Sequence, residues 1–279
     1  MEKKFIGAGL LSGLIAGIVA FIFARLFIEP QVAKAIDYEG GRSEAEEALE
    51  AAAHGGHVHG EGGELFTRSI QENVGAGIGT VVFAVCMGAF FAVAFTILWA
   101  YVGRRYPATD PRTVAAALGA IGFVALFGVP FFAYPANPPA VGDDDTIGAR
   151  SGAFLTITLL SVAFAVAAVV LALWLRPRIG GLLSGVAATV GYLVAVTITV
   201  ALLPEFHEVP GPVTDGAGQI VFPGFPGDVI GDFRVYAIAG QVILWTVLTV
   251  VFALILGRLS RPPASAPAAD DERIVAGNS

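Results

Sequence analysis

Three of the four histidines in the chain lie within six residues, in the run His54-Gly55-Gly56-His57-Val58-His59-Gly60. Acidic residues surround this run, at positions 44–50 before it and at 61 and 64 after it. Neutral imidazoles bind intermediate transition metals, and carboxylates attract cations. The glycine-rich spacing lets two or three imidazoles reach one ion, although it lacks the fixed spacing of a rigid site. We therefore predict metal contact at His54, His57 and His59, with a solvated polar loop as the alternative.

A second group of possible ligands lies in two proline-rich segments further along the chain. One segment leads from Tyr134-Pro135 to Asp143-Asp144-Asp145, and the other reads Leu203-Pro204-Glu205-Phe206-His207-Glu208. Carboxylate and imidazole groups provide hard and intermediate donors for a divalent ion. The alternative is that acidic residues in such segments stabilise helix N-termini, as Asp228 or Asp232 would before the last apolar stretch. The predicted ligands of this group are Asp145, Glu205, His207 and Glu208.

The elements that must position these ligands are apolar helices. The chain is 56% hydrophobic and 14% charged, with a mean hydropathy of +0.75, whereas a soluble domain has about 25% charged residues. A transmembrane helix needs roughly 20 apolar residues. Six stretches qualify, at about 6–28, 74–101, 113–134, 153–175, 179–203 and 235–257. We predict an all-α integral membrane protein whose six transmembrane helices form three hairpins.

Charge segregation predicts the orientation of these helices. The connections 29–73, 135–152 and 204–234 carry 18 of the 23 acidic residues and only five basic ones. Because basic residues favour the cytoplasmic side, we expect both termini to be cytoplasmic in a plasma-membrane protein. Residues 1–261 then form a single bundle, 29–73 an outer loop rich in acidic residues and histidine, and 262–279 a disordered tail. The basic residues of the opposite face are Lys3, Lys4, Arg104, Arg105, Arg112, Arg176, Arg178, Arg258 and Arg261.

Local signals refine this organisation. The prolines at 30, 135 and 204 are predicted to end the three helices that run from the cytoplasmic side to the outer side. Ser43 is predicted to cap a short helix in the first outer loop. Glycine rows at 9/13/17, 75/79 and 181/185 predict close helix contacts. A cleavable signal at the N-terminus is the alternative to a retained first span, which we prefer because its apolar run exceeds the usual 7–15 residues. Cys86 and Met87 are interpreted as core fillers rather than soft metal ligands.

The distribution of ionisable groups limits the function classes. No charged residue lies deep inside a predicted span, and the sequence contains no His-Glu-x-x-His motif and no phosphate-binding loop. We therefore predict that the protein is not an enzyme and has no tightly bound cofactor. The residues alone indicate transport of a divalent cation, with a non-transporting membrane metal sensor or assembly scaffold as the alternative.

Distinct sequence motifs occur in the loop segments and the last span: Tyr134 to Pro139, Asp145-Thr146-Ile147-Gly148 with Arg150, Leu203 to Pro210, Phe225-Pro226 with Asp228, Phe233-Arg234, Gln241 and Trp245. These motifs resemble the cobalt transporter subunit family CbtA. The resemblance implies cobalt, or alternatively nickel, as the transported ion, and a small single-span histidine-rich CbtB-like subunit as a partner. The histidine run is not among the motifs that carry this resemblance.

Overall fold

A computed structural model describes residues 2–54 and 74–259. It contains six helices long and apolar enough to cross a membrane, which confirms the predicted fold class. The fifth span matches its predicted range to within two residues at either end. The helices are α1 (Glu2–Phe23), α2 (Glu29–His54), α3 (Ala76–Arg105), α4 (Pro111–Phe123), α5 (Val129–Ala133), α6 (Ile147–Ile179), α7 (Gly181–Leu202) and α8 (Gly227–Leu259). Shorter elements are the π-helical segments Ala24–Ile28 and Val124–Gly128, the 3-10 turn Asp144–Thr146, and the strands β1 (Val213–Thr214) and β2 (Ile220–Phe222).

The predicted outer loop 29–73 begins as a helix instead. α2 continues the first span through His54, and its 26 residues add about 39 Å at 1.5 Å per residue. Ser43 lies inside α2, so the prediction that it caps a separate short helix is wrong. The tail 262–279 lies outside the described residues.

Pro30 does not end its helix because the preceding turn is widened. The Glu29 N–H donates to the Ala24 carbonyl, five residues back, and the Val129 N–H donates in the same way to Val124. A proline ring clashes with the carbonyl four residues back and has no N–H to donate, and a π turn relieves that conflict. Both π segments precede a proline within the same Leu-Phe-x-x-Pro pattern, at 26–30 and 126–130.

α1 is the central helix, because it packs along both α3 and α8. At the crossing with α3, Gly9 and Gly13 lie against the backbone of Gly88 and Ala84, where any Cβ atom would overlap the opposite helix. This confirms the predicted use of the first glycine row. A Cβ atom at Gly79 or at Gly185 would meet nothing within 4 Å, so these two glycines make no such close contact.

The third predicted hairpin does not form a packed pair. α7 packs along α6, whereas α8 packs against α1 and α4. The long connection between α7 and α8 allows this, because it returns the chain from the edge of the bundle to its centre. Met87 packs against the core, as predicted, but Cys86 is exposed on the outside of the bundle.

The basic residues gather at one end of the bundle. The Arg176 guanidinium lies 4.0 Å from the ring centroid of Tyr106, which joins the end of α6 to the end of α3. The rings of Phe5 and Phe95 are 5.4 Å apart, so α1 begins at this end. α8 also ends at this end of the bundle, because its Gly257 lies beside the side chain of Arg112, the second residue of α4.

Candidate metal-binding face

The acidic connections meet at the opposite end of the bundle and form what we call the loop cap, comprising residues 29–54, 134–150 and 203–234. The cap has a small apolar core that is separate from the core of the helical bundle. The cap core joins α2, the two proline-rich connections and the first turns of α8. Its buried members are Ala35, Tyr38, Val141, Phe225, Val229 and Ile230.

Tyr38 and Arg42 attach α2 to the third connection. The Tyr38 hydroxyl donates to the Pro223 carbonyl at 3.2 Å, and its ring centroid is 4.7 Å from that of Phe225. The Arg42 guanidinium donates to the Gly211 carbonyl at 2.7 Å. Prediction from sequence missed these residues because it treated the segment as a loop. The signal was present, since positions 35, 38 and 42 lie on one face of a helix.

Arg150 and Glu208 join the second connection to the third. Their Nε and Oε2 atoms are 3.2 Å apart, and the Asp143 N–H donates to the same carboxylate at 2.9 Å. A second Arg150 nitrogen donates to the Asp143 carbonyl at 2.9 Å. Gly142 adopts a φ of +136°, and a Cβ atom there would overlap the Arg150 guanidinium, so this turn requires glycine.

The electrostatic surroundings of Glu208 favour its charged form. The Thr146 hydroxyl contributes most to lowering the pKa of this carboxyl group, followed by the Asp143 N–H, and the Arg150 charge acts in the same direction. Partial desolvation opposes them. Hydrogen bonds and positive charge stabilise a carboxylate more than a carboxylic acid. Glu208 is therefore a deprotonated group held between two connections.

Further links come from residues at the ends of the spans. Arg234 of α8 donates to the Asn137 side-chain oxygen at 2.7 Å and to the Ala136 carbonyl at 3.3 Å. The Tyr134 hydroxyl donates to the Pro204 carbonyl at 2.7 Å. Many of the loop-motif residues therefore hold the cap connections together.

The predicted ligands are brought together only in part. The Glu205 Oε2 and His207 Nε2 atoms are 4.0 Å apart, and their side chains are 85% and 84% exposed. Asp145 is exposed, and its N–H donates to the Asp143 carboxylate. The Glu208 Oε2 atom already contacts Arg150 and the Asp143 N–H, so Glu208 is less free to bind a metal than Glu205 or His207.

Most of the histidine run falls outside the residues that the structure describes. His54 is the last residue of α2, while His57 and His59 lie outside the described residues. Across residues 2–54 and 74–259, no group of three or more histidine, cysteine, aspartate or glutamate residues is placed to hold a metal ion. Glu205 and His207 form an exposed two-donor pair on the acidic surface of the cap. Such a pair suits weak and reversible ion binding.

Comparison with known proteins identifies the family. A family model described as "Probable cobalt transporter subunit (CbtA)" matches residues 2–257. No curated protein and no solved structure matches the chain. The matched region includes the whole loop cap and all six membrane-spanning helices except the last two residues of α8. The chain therefore belongs to the CbtA family of probable cobalt transporter subunits.

Proposed function

We propose that this protein is the membrane subunit of a cobalt uptake system in the plasma membrane, with its loop cap outside and both termini in the cytoplasm. The observation that carries the proposal is the family match over residues 2–257. The orientation is supported by the grouping of basic residues at the end opposite the cap. Nickel is the alternative cargo, because imidazole and carboxylate ligands suit both ions.

The cap is proposed to capture the ion before it reaches the helices. Its excess of carboxylates raises the local concentration of cations. Glu205 and His207 then offer an oxygen and a nitrogen donor 4.0 Å apart, with Asp145 and a released Glu208 as further ligands. His54, His57 and His59 are proposed to bind the ion loosely upstream of this pair. Weak binding in several steps suits transport, because a tightly held ion is slow to leave.

A transporter subunit implies partner proteins. The only lysines are Lys3, Lys4 and Lys34, and none follows a glycine-rich phosphate loop. If ATP drives uptake, another subunit must therefore bind it. We propose a small single-span histidine-rich protein of the CbtB type as one partner, and no enzymatic activity for this chain.

The test is cobalt accumulation in cells that lack other cobalt uptake. The double variant Glu205→Ala/His207→Ala should raise the cobalt concentration needed for half-maximal uptake by at least about tenfold, because even the loss of a group that only orients a metal ligand costs roughly 10–100-fold in affinity. Glu39→Ala is the matched control, because it removes an exposed cap carboxylate outside the pair. If the double variant accumulates cobalt like the wild type, the proposed pair is wrong.

Two further measurements test ion capture by the histidines and transport separately. Replacing His54, His57 and His59 by alanine should lower uptake only when cobalt is scarce, and an equal loss at saturating cobalt would contradict a capture role. Cobalt flux into vesicles containing the protein and its partners distinguishes transport from the alternative of a metal sensor or scaffold, which would give no flux.

A further inference from the structure

We propose that α3 carries a binding site for an anionic phospholipid at the basic end of the bundle. The site is a shallow groove lined by Ile97, Ala100, Tyr101, Arg104 and Arg105. It lies at the opposite end from the loop cap and does not depend on the proposed transport of cobalt.

The apolar wall of the groove continues along one face of α3. Four residues of this face are exposed, in the order Phe90 (70%), Val93, Ile97 (69%) and Tyr101. Their spacing of three or four residues places them in one row. The row from Val93 to Arg104 is about 16 Å long at 1.5 Å per residue, close to half of the roughly 30 Å hydrocarbon layer. An acyl chain lying along it therefore places its headgroup beside the two arginines.

The basic residues at this end of the bundle differ in what their side chains contact. Arg112 holds the Asp110 carboxylate at 2.7 Å, and the Arg176 and Arg178 guanidinium groups lie over the rings of Tyr106 and Trp174. The Arg105 guanidinium also lies over the Tyr106 ring, 5.4 Å from its centroid, and Arg104 and Arg105 are both exposed. No carboxylate in the described part of the chain forms an ion pair with either of them.

This arrangement matches the chemistry of an anionic lipid headgroup. Guanidinium groups bind phosphate oxygens through charge-assisted hydrogen bonds, and the Tyr101 hydroxyl can donate a further one. A phosphatidylcholine headgroup has no net charge, whereas phosphatidylglycerol keeps a full negative charge for the arginines. Basic residues at the membrane surface attract anionic lipid by about 1 kcal/mol each, so a headgroup that contacts both arginines binds about 30-fold more tightly than one that contacts neither.

The experiment measures lipid retained by the purified full-length protein, using native mass spectrometry in detergent with added phosphatidylglycerol or phosphatidylcholine. Arg104→Gln/Arg105→Gln should weaken phosphatidylglycerol binding by about 30-fold. The matched control is Arg178→Gln/Arg258→Gln, which removes the same charge from the same end and should change binding less than about threefold. All four side chains are exposed, and the melting temperature of each variant checks that it folds.

Three results would overturn the proposal. Equal weakening by both double variants would mean that only the overall charge attracts the lipid. Equal retention of phosphatidylcholine by the wild type would remove the selectivity for a net anionic headgroup. Displacement of the lipid by millimolar inorganic phosphate would show a site for a free anion rather than for a lipid.

Discussion

Replacing Gly13 by alanine tests the close contact between α1 and α3. The new Cβ would overlap the Ala84 carbonyl oxygen and lie 2.9 Å from the Val85 Cα and 3.0 Å from the Ala84 carbonyl carbon. These are backbone atoms of a helix, so they cannot rotate away as a flexible side chain would. The two helices must separate for the methyl group to fit.

The expected cost follows from this overlap. Carbon atoms pack best at about 3.5–4.0 Å, so the helices must move apart by roughly 1 Å at the crossing. Overpacking of this kind costs about 1–3 kcal/mol. The higher helix propensity of alanine offsets little of it, because a membrane helix keeps its backbone hydrogen bonds when it leaves the bundle. We therefore expect Gly13→Ala to lower the free energy of unfolding by about 1–3 kcal/mol.

Gly185→Ala provides the matched control for this measurement. Gly185 lies in another transmembrane helix, α7, and a Cβ atom there meets nothing within 4 Å. Its effect should stay within about 0.5 kcal/mol. The assay is equilibrium unfolding of the purified protein in mixed detergent, followed by helical circular dichroism. If the two variants unfold with the same free energy, the reasoning about the α1–α3 contact is refuted.

Two further predictions concern the loop cap. Tyr38→Ala should speed amide hydrogen exchange in residues 210–225, because it removes the ring that packs against Phe222 and Phe225. Tyr38→Phe should have a smaller effect, since it keeps the ring and loses only the hydrogen bonds of the hydroxyl with Pro223 and Arg42, each worth about 1 kcal/mol. Glu208→Gln should also speed exchange there at neutral pH. Since the folded-state pKa of Glu208 is lowered from its ordinary 4.5, its stabilisation is complete above that pH and is lost as the pH falls through the folded-state pKa. The difference between wild type and Glu208→Gln should therefore shrink below about pH 4.5; a constant difference down to pH 3 would contradict the ionic role of Glu208.

Local sequence signals predicted some helix ends and missed others. α5 and α7 end just before Pro135 and Pro204, as expected for residues that cannot continue a helix. Pro30 and Pro130 have the same chemistry but lie inside continuous helical runs. At Pro30 and Pro130 the preceding turn is widened, and single-residue preferences do not predict such a turn. The sequence feature that Pro30 and Pro130 share is the Leu-Phe-x-x-Pro pattern.

The candidate site was harder to predict than the spans. Glu205 and His207 are neighbours in the chain, so their proximity in the structure is a local property. The partners of Glu208, in contrast, are Arg150 and the Asp143 N–H, which come from another connection. The sequence around a carboxylate in a polar loop does not distinguish one that binds a metal ion from one that binds an arginine side chain.

The sequence by itself determined the membrane class, the six spans and the separation of acidic from basic ends, because each follows from the cost of placing polar groups in hydrocarbon. It also identified the Gly9/Gly13 row as a close-packing surface. Only the tertiary structure decided that Gly88 and Ala84 are the partners of this row, that α7 packs along α6 rather than α8, and that Arg150 binds Glu208. These pairings join segments distant in the chain, and they depend on which surfaces fit one another, a property that no local pattern contains.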